Sequence, residues 1–168
     1  GATYCAMEFE GPVIDALSIE ERMTICNMAI EAGGKNGVIA ADAKVEAYVK
    51  ERTDVPYTLL KADADAEYKD VYEINVSELE PTVAIPSAPD KRKGVSEIEG
   101  TKLTRAYIGS CTGGKTEDFA AAAKIMYGQK VVMDTFVVPS TTFVEKDLNT
   151  LKYKDKTYME IFLEAGCR

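Results

Sequence analysis

Between Leu103 and Gly128 the sequence LTRAYIGSCTGGKTEDFAAAAKIMYG gathers the residue types that can do chemistry. The apolar run Leu103, Ala106, Tyr107, Ile108 predicts a strand. Gly109-Ser110-Cys111-Thr112-Gly113-Gly114 predicts a tight turn, and the alanine-rich segment from Lys115-Thr116 to Tyr127-Gly128 predicts a helix. A turn of this kind presents free backbone N–H groups at a helix N-terminus, where an anion or a charged cofactor is favoured. Two chemistries fit it. Gly109, four further residues and Gly114-Lys115-Thr116 match the phosphate-cradling G-x-x-x-x-G-K-[ST] pattern, and Lys130-Val-Val-Met-Asp134 mimics a strand that ends in a metal-binding Asp. Cys111, beside N–H donors and a lysine, is equally suited to be a thiolate ligand or a nucleophile. A plain glycine-rich turn with a half-buried thiol is the third reading.

The remaining chemistry is limited by what the chain lacks. It has no histidine, so no His base, His ligand or Ser-His-Asp arrangement forms within it. Its four cysteines, Cys5, Cys26, Cys111 and Cys167, include no C-x-x-C pair, which points to a reducing compartment rather than a disulfide framework. Elsewhere, Asn27 and Glu31 stand four residues apart in a helical pattern and so share a face; a partly exposed boundary pair is the bland alternative for them.

The elements that must position these residues can be read along the chain. Ser18 and Glu21 form a capping box, Ile19, Met23, Cys26 and Ile30 recur at helical spacing, and Gly33-Gly34 stops the run. The spacing predicts a helix over residues 19–32 carrying Asn27 and Glu31. Before it, residues 6–17 predict a helix interrupted at Gly11-Pro12. After it come a short strand from Gly37 to Ala41 and a helix capped by Asp42. An acidic connection over residues 61–72 reads as a solvated loop. Val71–Val76 and Thr82–Ile85 predict two strands, and Pro86–Gly94 reads as a linker. Lys130–Val138 reads as a strand buried on both faces, and Tyr158–Gly166 as a helix with a glycine stop. The organisation expected is a partial α/β domain over 1–86, a linker over 87–101, and the first half of a second, doubly wound α/β domain over 102–168.

Composition narrows the partners. The chain has 168 residues, 46% of them hydrophobic and 29% charged, with a net charge of −8. That balance argues against nucleic acid or an anionic membrane surface as the partner. No apolar run is long enough to cross a bilayer, and no secretory signal is present. The opening GATYCAMEF and the closing EAGCR both read as cuts in a longer polypeptide.

GATYCAMEFEGPVIDALSIEERMTICNMAIEAGGKNGVIAAD, PTVAIPSAPD and YIGSCTGGKTEDF, in that order, resemble the aconitase superfamily over essentially the whole chain. The resemblance outweighs the phosphate-loop match, which leaves a nucleotide-binding module, or a non-catalytic interaction fragment, as readings of another class. It implies layered α/β/α domains with a mostly parallel, doubly wound sheet. It also implies a 4Fe–4S cluster on three cysteines with one iron open to substrate, Cys111 matching the first ligand and the other two lying in a C-x-x-C beyond Arg168. Cys167 matches neither, and Gly113 stands where many members have Asn. Asn27 and Glu31 match the asparagine and glutamate of the family's active-site helix, the glutamate there partnering a histidine from an N-terminal region. The implied reaction removes water from a small hydroxy diacid and returns it at the neighbouring carbon, with no redox step. Isopropylmalate is the implied substrate, homocitrate and citrate the alternatives. A small subunit is the implied partner, and the cytoplasm or an organelle matrix the compartment. A single thiolate implies that this chain alone is cluster-free and inactive.

Overall fold

Residues 2–168 are described by a computed structural model. They form two units, one holding residues up to Leu60 together with Leu103–Arg168, the other Lys61–Lys102. The first unit opens with strand β1 (Ala6–Glu8), followed by helices α1 (Pro12–Ala16) and α2 (Ile19–Met28) and strand β2 (Asn36–Val38). β1 and β2 pair in parallel, with Met7 opposite Gly37. The helix expected over residues 6–17 is therefore corrected. Gly11, at φ +108°, breaks the chain between a strand and a short helix, and Pro12 takes the first helical turn, where its missing N–H costs nothing.

Ser18 sets the start of α2 as the sequence predicts. Its hydroxyl accepts from the Glu21 N–H at 3.1 Å, and the Glu21 carboxylate accepts from the Ser18 N–H at 2.7 Å. The helix ends sooner than the glycine stop suggests. From Ala29 onward the N–H groups reach back three residues rather than four: Ala29 to Cys26, Glu31 to Met28, Gly33 to Ile30. That tighter ladder is the usual way a helix end satisfies its last carbonyls. It places Glu31 outside α2.

Helix α3 (Ala43–Lys50) is capped by Asp42, whose Oδ1 accepts from the N–H groups of Lys44 and Val45. The other Asp42 oxygen meets buried Arg22 of α2 at 2.7 Å, and Arg22 also donates to the carbonyls of Ile14 and Asp15. One guanidinium thus ties α1, α2 and the cap of α3. Its hydrogen bond holds the Asp42 carboxyl at about 2. Because that value lies below the unfolded one, the contribution is complete above about pH 4 and is lost as pH falls toward 2. Asp42→Asn is expected to lower thermal stability at neutral pH and to remove part of the acid dependence in that window. Parallel melting curves for the two proteins from neutral pH down to acid would refute it.

In the unit Lys61–Lys102, strand β3 (Thr82–Ala84) pairs antiparallel with β4 (Arg92–Gly94). The proline-bearing stretch read as a linker thus contributes a hairpin strand. The strand expected over Val71–Val76 is corrected to irregular chain leading into a 3₁₀ turn at Val76–Glu78. Asn75 Oδ1 accepts from the Ser77 N–H at 3.1 Å, and this local bond competes with strand pairing.

The rest of the first unit alternates strand and helix, the α/β pattern the sequence implies. Strand β5 (Arg105–Gly109) leads into α4 (Ser110–Gly113) and α5 (Thr116–Met126), then into β6 (Asp134–Val138), which pairs in parallel with β5. Helix α6 (Thr142–Thr150), a hairpin of β7 (Lys152–Tyr153) and β8 (Lys156–Thr157), and helix α7 (Tyr158–Ala165) complete it. Gly166, at φ +94°, ends α7 as predicted. Phe119 of α5, Leu148 of α6 and Phe162 of α7 are fully buried, the two rings meeting edge to face at 6.0 Å. Burying each such side chain stabilises the fold by about 1.5–3 kcal/mol. The expectation of a continuous strand over Lys130–Val138 is corrected. Strand pairing starts only at Asp134, Val132 is 91% exposed, and the Val131 N–H goes to the Ala165 carbonyl. On its other edge β6 pairs with the backbone of Arg168 through Thr135 and Val137.

Candidate functional site

β5 and β6 run in parallel and end together, Gly109 opposite Val138. Ligands in such sheets bind outside the carboxyl ends of the strands, and the chemistry-bearing turn lies there. Gly109 at φ +142° and Ser110 at φ +79° turn the chain sharply upward. Ser110 is a non-glycine residue in the left-handed region, a conformation that persists only where its surroundings enforce it. The single turn of α4 then presents Cys111 to solvent.

Helix α2 supplies the facing side. Glu20, Thr24 and Asn27, spaced four and three residues apart, lie on one line of the helix. Glu20 Oε2 accepts from the Glu117 N–H at 2.7 Å, capping the start of α5, and the Ser18 hydroxyl donates to Glu117 Oε2 at 2.6 Å. The Thr24 hydroxyl shares its one proton between the Glu20 carbonyl of its own helix at 3.2 Å and the Thr112 carbonyl at 3.3 Å. Asn27 Oδ1 accepts from the Thr112 hydroxyl at 2.6 Å and from the Cys111 thiol at 3.8 Å. The structure thus brings together two of the three residues singled out in the sequence, Cys111 and Asn27, 84 positions apart. The third, Glu31, lies exposed in the turn beyond α2. Thr112, Thr24, Glu20 and Ser18 carry the contact between the two halves of the site; the sequence marks Ser18 only as a helix cap and marks none of the four as a site residue.

Lys115 is not available to a phosphate. It is 8% exposed, and its ammonium donates to the Thr112 carbonyl and lies 3.2 Å from Asp118 Oδ2. A phosphate-loop lysine has to point into an open cradle of N–H groups; here the amine satisfies the end of α4. The nucleotide-binding alternative loses its central residue.

Among the cysteines, Cys111 alone is exposed. Burial pushes the thiols of Cys26 and Cys167 up, away from thiolate chemistry, and Cys167 packs in the core with its Sγ 4.0 Å from Met126 Sδ. Among the described residues no three His, Cys, Asp or Glu side chains converge as a metal site. As a donor set for an iron–sulfur cluster, the chain fits one corner: an accessible thiol on a strand-to-helix turn with a carboxamide beside it.

These features define an α/β protein whose candidate site is a cysteine at the carboxyl edge of a parallel strand pair, braced by a polar helix face. The profile of the aconitase family (aconitate hydratase) matches residues 1–99 and 91–168, and the chain belongs to that family. Membership implies an iron–sulfur cluster in the full-length protein. The chain is 52% identical over 99% of its length to the chloroplastic 3-isopropylmalate dehydratase large subunit of Arabidopsis thaliana, covering 34% of that protein. It is 45% identical to the 3-isopropylmalate dehydratase large subunit of Caldicellulosiruptor saccharolyticus and 45% identical to that of Heliobacterium modesticaldum, again over 99% of its length, covering 38% and 39% of them. The chain therefore spans between a third and two fifths of the curated relatives it matches. No helix among the described residues is long and apolar enough to cross a membrane.

Proposed function

We propose that this chain is part of the large, catalytic subunit of a hydro-lyase that interconverts 2-isopropylmalate and 3-isopropylmalate by dehydration and rehydration, a step of leucine biosynthesis, in partnership with a small subunit. The observation that carries the reading is the meeting of Cys111 with Asn27 at the strand edge, in a chain about half identical to proteins bearing that name.

In this reading Cys111 contributes one thiolate to a 4Fe–4S cluster, and the other ligands come from elsewhere in the longer protein. When bound, such a cluster supplies a Lewis acid at its open iron. The roles of this chain's own residues follow from where they sit. Asn27 offers its carboxamide beside the thiol as a hydrogen-bonding group for substrate or cluster. Glu31 handles a proton through a histidine, which must lie outside this histidine-free chain. The exposed turn carrying Glu31 leaves its carboxylate accessible to such a partner. The boundary between the parent's two α/β domains is assigned to residues 87–101. The compartment proposed is the cytoplasm, or an organelle matrix as in the chloroplastic relative.

The test is turnover by the full-length large subunit assembled with its small subunit and reconstituted anaerobically with iron and sulfide. Isopropylmalate is expected to be the preferred substrate by kcat/KM over homocitrate and citrate. Preference for either of the others would move the protein to a neighbouring hydro-lyase.

A further inference from the structure

Thr112 follows the cysteine and carries the contact between its turn and α2. Three observations single it out. Its hydroxyl donates to Asn27 Oδ1 at 2.6 Å, the shortest tie between α2 and the cysteine turn. Its carbonyl accepts from Thr24 on the same helix and from the inward-turned ammonium of Lys115. It is half-buried, while Asn27 and Cys111, on either side of the contact, are exposed. The residue is therefore held at its carbonyl, and its hydroxyl in turn holds Asn27.

The hydrogen-bond chemistry fixes what that hold does. A carboxamide has an acceptor edge and a donor edge. The Thr112 hydroxyl donates to the oxygen of Asn27 at 2.6 Å, so the acceptor edge is occupied without help from the Cys111 sulfur, which as a cluster-bound thiolate has no proton to give. Nδ2 makes no hydrogen bond among the described residues, although Asn27 is exposed on a helix that is otherwise tied at Ser18, Glu20 and Thr24. An exposed asparagine with a free χ2 would sample both orientations of its amide. One whose oxygen is pinned presents its N–H groups alone.

We propose that Thr112 is a positioning residue: it pins the Asn27 carboxamide by its oxygen and so keeps the amide N–H groups available as donors to an electron-rich group, a sulfide or a substrate oxygen, bound beside Cys111. The proposal rests on the hydro-lyase reading above and adds a residue to it. Pre-setting a donor in this way saves the ordering cost on each binding event. Removing the hydroxyl alone leaves the amide to rotate, with its oxygen toward the same electron-rich group for part of the time.

The experiment uses the full-length large subunit with its small subunit, as wild type, Thr112→Val and Thr112→Ser. Valine keeps the volume and removes the donor; serine keeps the donor and removes the methyl. Iron and acid-labile sulfide are counted in each, the electron paramagnetic resonance spectrum of the reduced cluster is recorded with and without substrate, and kcat and KM are measured. The valine variant is expected to keep its iron and sulfide, to lose about tenfold in kcat/KM, mainly through KM, as one hydrogen bond's worth of binding, and to show a smaller spectral change on adding substrate. The serine variant is expected to recover most of both. Valine with wild-type KM and wild-type spectral response overturns the proposal, as does serine as impaired as valine, which would mark a packing role. A wild-type protein that turns over isopropylmalate while valine fails only in these ways separates the two claims. A wild type with neither cluster nor turnover overturns the hydro-lyase reading and this one with it.

Discussion

Cys111→Ser in the full-length protein is expected to abolish the iron–sulfur absorbance and the isomerisation together. The hydroxyl of serine stays protonated at neutral pH and is a harder, weaker ligand for iron than a thiolate. Loss of groups that merely support metal ligands costs roughly tenfold to a hundredfold, and losing a ligand should exceed that. Two other cysteines give internal comparison. Cys26 and Cys167 have their thiols pushed up by burial, and Cys167 packs in the core, 6% exposed. Cys26→Ser and Cys167→Ser are expected to retain cluster and turnover, the latter with some loss of thermal stability as a polar group enters an apolar environment. Iron and sulfide stoichiometry on the three variants decides the matter. A Cys111→Ser protein with a full cluster, or a Cys26→Ser protein without one, would remove Cys111 from its assigned place.

Much of this site could be read from sequence, and the part that could not has a physical cause. The strand-to-helix turn carrying Cys111 was legible from its glycines and its flanking periods, while the part given to Cys111 in it came from the family resemblance, since the turn by itself fits a phosphate loop as well. The capping box at Ser18 and the glycine stop at Gly166 were legible because each is decided by local hydrogen bonds. Glu31 was placed on the wrong element because the change from four-residue to three-residue bonding after Met28 leaves no mark in the pattern of apolar residues. Residues 71–76 alternate as a strand should, yet find no partner strand, and Val71, Tyr72 and Ile74 remain exposed. Alternation reports that a strand would have one apolar face, not that a partner exists to pair with it. The polar line of Glu20, Thr24 and Asn27 was visible as a spacing. The apolar spacing of α2 is a poor guide to what the helix docks against, because Met23 stays exposed while buried Arg22 does the tying. Polar spacing carries as much information as apolar spacing wherever a helix docks through side-chain-to-backbone bonds, and nothing in α2 itself shows that its partner is a turn some ninety residues later.

Gly109→Ala is expected to be the most disruptive single methyl in the chain. A Cβ built on Gly109 stands 2.1 Å from the Val138 carbonyl oxygen and 3.0 Å from its carbon, both backbone atoms of the paired strand. Backbone cannot rotate away as a side chain can, so β5 and β6 must separate at the edge where they bear the site. The backbone conformation, φ +142°, adds strain of its own for any L side chain. Strain of this kind and overpacking each cost about 1–3 kcal/mol, so a combined loss of about 2–6 kcal/mol is expected, enough to unfold a marginal protein. Gly113, four residues on, provides the control: a Cβ there meets nothing within 4 Å, and its φ is not in the left-handed region. Gly113→Ala should leave the melting temperature within a few degrees of the wild type, while Gly109→Ala either fails to accumulate as soluble protein or melts far lower. Where Gly109→Ala does fold, the displaced turn should carry Cys111 away from Asn27, so that cluster content falls even in the surviving protein. Equal melting temperatures for the two variants would mean that β5 and β6 do not approach as closely at this edge as the structure has them. The tight pairing of Gly109 with Val138 would then no longer account for how the cysteine turn is held.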